Sequence, residues 1–172
     1  MRHAPRNLRG VTHTRTSIPY ATEAITRRTT MRKAALGHWD PRVQQGWLYN
    51  LASAANALDI DVHFSTLVLN HHHTSVTTKH GNLSAFLQRL HQPMSCFVNT
   101  LLQQRGFDGM DFVWDAERPH RMRLLDAEAM MTQLIYERVQ AVAADLVDRP
   151  EDMPGFVFDW SMWRKGCTVR AW

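Results

Sequence analysis

The sequence predicts an α+β domain in which helices pack on an antiparallel β-sheet, and three observations carry that reading. Hydrophobic patterning switches period along the chain, giving the order strand, helix, strand, strand, helix, strand, helix. The 172 residues suffice to bury a core without disulfides, and Cys96 and Cys167 are far apart and belong to no ligand-spaced pair. No apolar run approaches the roughly 20 residues of a membrane-spanning helix. The expectation is a soluble, cytoplasmic protein built on one domain. Residues 1–19 form a flexible basic lead-in, 20–156 the domain, and 157–172 a tail short enough to suggest truncation.

Each element has a local reason. Residues 1–19 lack periodicity and end in Ser17-Ile18-Pro19. Tyr20 to Thr30, with Ala24, Ile25 and several threonines, reads as a first strand. Met31 to Leu36 fits neither period. Asp40-Pro41 opens a helix, cap then proline, that runs to about Leu58 and buries Val43, Trp47, Leu48, Leu51, Ala54, Ala55 and Leu58. Asp61 to Leu67 is a buried strand, Asn70 suits a tight turn, and Thr74 to Thr78 resume as the next strand near the middle of the sheet. Asn82 can cap a second helix whose stripe runs Leu83, Phe86, Leu87, Leu90, Met94, Val98, Leu101. Pro93 interrupts it, and at about 3 kcal/mol for a mid-helix proline a kink or break is expected. Phe112 to Trp114 reads as a short strand segment and Arg121 to Leu124 as an edge strand. Asp126-Ala127-Glu128 starts a third helix that reaches about Val147, stopped by Asp148-Arg149-Pro150. Met153 to Phe156 and Trp160 to Trp163 read as a partly packed tail.

Charge is uneven. Residues 1–39 carry eight Lys and Arg against Glu23 alone, a balance of +7, while the remainder carries −3. A basic arm on a near-neutral body suits a polyanion such as nucleic acid. For residues 1–16 a solubilising tail explains the charge equally well. Arg27, Arg28, Arg32 and Lys33 adjoin a strand, and these four are the expected phosphate contacts.

The chemistry centres on His71-His72-His73. On a strand, His71 and His73 share a face and His72 takes the other. Two neutral imidazoles side by side give a divalent metal two ligands and leave positions open for a third, for water and for substrate. A surface histidine cluster with adventitious metal affinity is the competing reading. Tyr136 and Gln140 lie four apart on the third helix and so share one face. A tyrosine hydroxyl can act as a covalent nucleophile and an amide oxygen can join a metal's ligand set. Taken alone, such a tyrosine more often packs against a sheet.

Taken together these segments resemble the REP-associated tyrosine transposases, single-tyrosine members of the HUH superfamily. The likeness runs over roughly 21–156. It rests on Ala24-Ile25-Thr26-Arg27-Arg28-Thr29, on Val62-His63-Phe64 with Leu69-Asn70-His71-His72-His73, and on Gly81 to His91. It continues through Leu134-Ile135-Tyr136 and Arg149 to Gly155. The resemblance implies a ferredoxin-like HUH nuclease domain. It implies Mg²⁺ or Mn²⁺ held by His71, His73 and Gln140, and nicking and strand transfer on single-stranded or hairpin DNA. It implies Tyr136 as nucleophile, forming a 5′-phosphotyrosine link. Related enzymes occur as monomers and as homodimers, some with the helix supplied in trans. A relic of the same fold that only binds nucleic acid, or a generic metal-binding protein, would share part of this pattern.

The sequence departs from the family pattern at five positions. His72 stands where a hydrophobic residue lies between the two histidines, and Thr74 where leucine is usual. Gln140 and Ala141 replace Asn and Pro, and Asp145 a glycine. If the face of His72 is core, its imidazole needs a partner.

Overall fold

The computed structural model describes residues 16–37, 39–153, 155–158, 160–166 and 168–169. Arg2, Arg6, Arg9 and Arg15 of the basic arm, with Pro154 and Cys167, lie outside the described residues. The elements follow in the expected order: β1 (Ala21–Arg28), α1 (Arg42–Leu58), β2 (Ile60–Leu67), β3 (His71–Thr78), α2 (Leu83–Gln104), β4 (His120–Leu124) and α3 (Ala127–Ala143), then a short α4 (Trp160–Lys165). The four strands form one sheet in the order β2-β3-β1-β4, and every neighbouring pair is antiparallel. This βαββαβ arrangement is ferredoxin-like. None of the described helices is long and apolar enough to cross a membrane.

Alternation on β3 divides the two faces of the sheet. Val76 and His72 face α1 and α2, where the core gathers Ile25, Trp47, Phe86, Leu90 and Met94. His73 and Ser75 face α3. Gly46 lets the two core helices come close, since a Cβ there would overlap the Phe97 ring. Asp40 ties α1 to the end of α2: it accepts from the Arg42 N–H and from the guanidinium groups of Arg42 and Arg105, which hold its carboxyl well below the usual carboxylate range.

Five local expectations are corrected. The second strand of the hairpin begins at His71, three residues before Thr74, so all three histidines lie on β3 rather than in the turn. Residues 112–114 form no strand, only an isolated bridge from Trp114 to Thr29. Asn82 makes no side-chain cap; its Nδ2 donates to Leu58 O, joining the ends of α1 and α2. Helix α2 runs through Pro93 unbroken, because Pro93 is on the exposed side, where water can satisfy the carbonyl its missing N–H abandons. Helix α3 stops at Ala143, not Val147, because Asp145 adopts φ 52°. That left-handed conformation is where a glycine is at ease and an aspartate is tolerated.

The segment after α3 returns along β2. Leu67 N–H donates to Phe156 O, Phe158 N–H donates to Ser65 O, and Val157 pairs with Thr66. The outer edge of β2 is thereby covered. At the opposite edge a buried bidentate pair, Arg121 Nε and Nη2 on the two oxygens of Glu23, fastens β4 to β1.

Candidate active site

The face of the sheet opposite the core carries the histidines. His71 and His73, two apart on β3, have ring centroids 4.9 Å apart. Helix α3 crosses this face, anchored by Glu137, and brings Tyr136 to 6.1 Å from His73, centroid to centroid. Gln140, one turn on, donates from Nε2 to Tyr136 Oη at 3.3 Å. These four line one cleft of about 700 Å³ together with Arg28 and Arg32. Tyr136 is 51% exposed, so its phenol has open access to the cleft rather than a place in the packing.

The tautomers follow from the partners. Asn70 Nδ2 donates to Arg32 O, which leaves Asn70 Oδ1 as acceptor for His71 Nδ1–H at 2.7 Å. The lone pair of neutral His71 is therefore on Nε2. His73 Nδ1 pairs with Thr26 Oγ1 at 2.9 Å, while its Nε2 is buried with no partner. Burial, then the nearby His71 and Arg28 charges, lower the His73 pKa to about 3. Burial and Arg28 lower that of His71 as well, against an opposing pull from the Gln140 amide. Both rings are neutral and able to donate a lone pair.

Among the described residues no three His, Cys, Asp or Glu side chains converge as a metal cluster. An amide as third ligand lies outside that set, and Gln140 brings one to the same cleft as the two histidines. Gln140 Oε1 and His73 Nε2 are both buried polar atoms without partners, in the same cleft. Buried polar atoms are rarely left so, and a small oxygen- and nitrogen-loving cation would satisfy both.

The four expected phosphate contacts separate. Arg28 and Arg32 line the cleft. Arg32 follows Met31 in a turn where both have positive φ, 53° and 50°. Such strain persists only where neighbours enforce it, and Thr29 Oγ1 does so by donating to Lys33 O and to Asn70 O. Lys33 is exposed outside the cleft. Arg27 pairs with His72 across β1 and β3 and so points to the core face, reaching the cleft only at the sheet edge.

Arg27 ends a buried relay that explains His72. An arginine can only donate, so Arg27 Nη1 donates to His91 Nδ1 at 2.9 Å. His91 Nε2–H must then donate to His72 Nε2 at 2.9 Å, and His72 Nδ1–H to Thr74 Oγ1 at 3.0 Å. Thr74 meets Ser65 Oγ, which also accepts from Trp47 Nε1. Burial first, then neighbouring positive charge, keeps His72 and His91 well below the usual histidine pKa, neutral as the relay requires. The polar residues at positions 72 and 74 thus satisfy each other on the core side and leave the face of His71 and His73 untouched. Replacing His72 by leucine is expected to cost about 1–3 kcal/mol, because His91 Nε2–H is stranded. The His72→Leu/His91→Leu double variant should lose less than the sum of the singles by about 0.5–3 kcal/mol in urea unfolding. Additive losses would show that the two rings do not form a linked pair.

Several residues of the site escape a sequence reading. Glu137, next to Tyr136 on α3, is buried, accepts from Ser75 Oγ and Gln133 Nε2, and has its pKa raised by burial to about 7. Asp115, Arg118 and His120 join the cleft from the β4 approach, which carries no periodic signal. The one available clue was spacing: Gln133, Tyr136, Glu137 and Gln140 form a polar face on a helix otherwise rich in apolar residues.

Fold and site together define a class: a ferredoxin-like sheet that presents paired histidines to a helix-borne tyrosine. No family model and no curated protein matches the chain. Among solved structures it is similar to a REP-associated tyrosine transposase bound to a REP hairpin, with TM-score 0.69 and 13% identity, over 94% of this chain and 88% of that one. It also aligns with a candidate transposase of Deinococcus radiodurans R1, with TM-score 0.47 and 16% identity, over 75% of this chain and 93% of that one. The fold is that of the REP-associated tyrosine transposases, as the sequence resemblance implied.

Proposed function

We propose that this protein is a transposase-type enzyme that nicks and rejoins single-stranded or hairpin DNA through Tyr136. The observation that carries the reading is the approach of an accessible helix-borne phenol to paired, neutral histidines on the sheet. A divalent cation, Mg²⁺ or Mn²⁺, held by His71 Nε2, His73 Nε2 and Gln140 Oε1, would polarise the scissile phosphate. Asn70 and Thr26 orient the two imidazoles from behind. Arg28 and Arg32, with Lys33 beyond them, take neighbouring phosphates. Tyr136 Oη attacks phosphorus in line and the bond to the 3′-oxygen breaks. The phenolic proton passes to water and the departing oxygen takes one, leaving a 5′-phosphotyrosine and a 3′-hydroxyl. The phosphodiester is conserved in the new link, so a strand can be rejoined without a nucleotide cofactor.

The test is a denaturant-stable adduct between protein and 3′-labelled hairpin DNA carrying single-stranded flanks. Adduct is expected with Mg²⁺ or Mn²⁺ and none with EDTA. Salt-sensitive binding without any adduct would overturn the catalytic reading in favour of a relic that only binds nucleic acid.

A further inference from the structure

The cleft that holds His71 and His73 contains a third imidazole. His120 opens β4 and pairs with Thr26 of β1, which pairs on its other side with His73 of β3. Directly paired residues leave a sheet on the same face, so the row His73, Thr26, His120 points toward α3. Two strand spacings of about 4.8 Å put His120 roughly 10 Å from His73 along that row. Tyr136, its ring centroid 6.1 Å from that of His73, lines the cleft with both.

His120 differs from the other two in what its ring is free to do. His71 Nδ1 is taken by Asn70 and His73 Nδ1 by Thr26, and neither ring presents a proton to the cleft. Among the described residues His120 makes no side-chain hydrogen bond or ion pair, and it is exposed. Both its nitrogens are open to a bound strand. The charged groups on the cleft wall are arginines, among them Arg118, and the carboxylates of Asp115 and Glu117. A guanidinium does not release its proton in a protein, and a carboxylate at neutral pH has none to release. An imidazole both carries and surrenders a proton in that range.

We propose that His120 is the general acid of the nick. Its ring N–H passes a proton to the departing 3′-oxygen as the bond from phosphorus to that oxygen breaks, and the bonding pair stays on the oxygen. In rejoining, the neutral ring takes the proton of the 3′-hydroxyl as that oxygen attacks the phosphotyrosine, and the freed phenolate takes a proton from water. The inference rests on the Tyr136 reading above and supplies the donor for its leaving group, since an alkoxide is too basic to leave readily without a proton.

The test varies that leaving group. The nick is first mapped with the unaltered protein in Mn²⁺. Adduct formation at saturating protein is then timed on two 3′-labelled hairpin DNAs, one with the ordinary scissile linkage and one with sulfur in place of its 3′-oxygen. A thiolate leaves without a proton. His120→Ala is expected to slow the adduct about 100-fold on the oxygen linkage and no more than about threefold on the sulfur linkage. His120→Gln, closer in size and polarity, should show the same split and serves if the alanine variant fails to fold. Equal slowing on both linkages would make His120 a binding or structural residue, and no slowing on either would remove it from the reaction. Both results overturn the proposal and leave Tyr136 chemistry standing. No adduct from the unaltered protein on either linkage would overturn the nuclease reading and the general acid with it.

Discussion

Replacing Tyr136 by phenylalanine is expected to abolish the protein–DNA adduct while leaving stability and DNA affinity almost unchanged. The substitution removes one oxygen whose only hydrogen bond among the described residues is a 3.3 Å contact from Gln140 Nε2, at the exposed surface of a cleft. A change of that kind is worth about 0.5 kcal/mol or less. Loss of the adduct therefore cannot be ascribed to unfolding. The two other tyrosines are poor substitutes: Tyr20 lies at the start of β1, and Tyr49 is on α1, across the sheet from the histidines. An adduct that survives in Tyr136→Phe would assign the nucleophile elsewhere. A companion experiment separates attack from phosphate activation. His71→Ala with His73→Ala keeps the phenol but removes both imidazoles, and should lose the adduct together with Mn²⁺ binding in calorimetric titration.

The element order was legible because hydrophobic period is a strong local signal. Strand β1, the two core helices and the acidic start of α3 were all readable; the structure adds that Asp126 Oδ1 accepts from Ala129 N–H as an N-cap. The errors fell where a local rule met a tertiary circumstance. Pro93 predicts a break, yet its place on the outside of α2 leaves the abandoned carbonyl to solvent. Asn82 has the right residue type for a cap, yet the Leu58 carbonyl claims its amide. In the site, the two-residue spacing of His71 and His73 and the four-residue spacing of Tyr136 and Gln140 each define a face. Nothing in either spacing says that the two faces meet; that came from the family resemblance, and the structure places them around one cleft. The partner of His72 was not legible. His91 lies nineteen residues away on a helix stripe where any large residue would have served the periodicity.

Those same buried histidines make the protein sensitive to acid, and its stability is expected to fall as pH drops from about 6.5 to about 4. His72, His73 and His91 have pKa values in the fold well below their unfolded value of 6.5. Below pH 6.5 the unfolded chain binds protons that the fold refuses, so stability present above 6.5 is lost as pH falls. His73, at about 3 in the fold, forfeits about 1.4 kcal/mol per pH unit, roughly 2 kcal/mol by pH 5, and His72 and His91 act in the same direction. Glu137 acts in the opposite direction. Its pKa, about 7 in the fold against 4.5 unfolded, penalises the folded state at high pH, and the penalty disappears as pH falls through that window. By pH 5 it returns roughly 2–3 kcal/mol. With His72 and His91 acting alongside His73, the histidines outweigh Glu137, and the deficit widens below pH 5, where the return from Glu137 levels off. Urea unfolding followed by circular dichroism at stepped pH reads this directly, and a flat profile from pH 7 to pH 5 would refute it. Glu137→Gln isolates the opposing group: it should be up to about 3 kcal/mol more stable than the unaltered protein at pH 8, with the advantage vanishing near pH 4.5. Because Glu137 accepts from Ser75, the same carboxylate that lowers stability at neutral pH also joins the helix that carries Tyr136 to the histidine strand. A site that needs neutral imidazoles and a firmly placed phenol thus draws both from groups whose protonation the core has already decided.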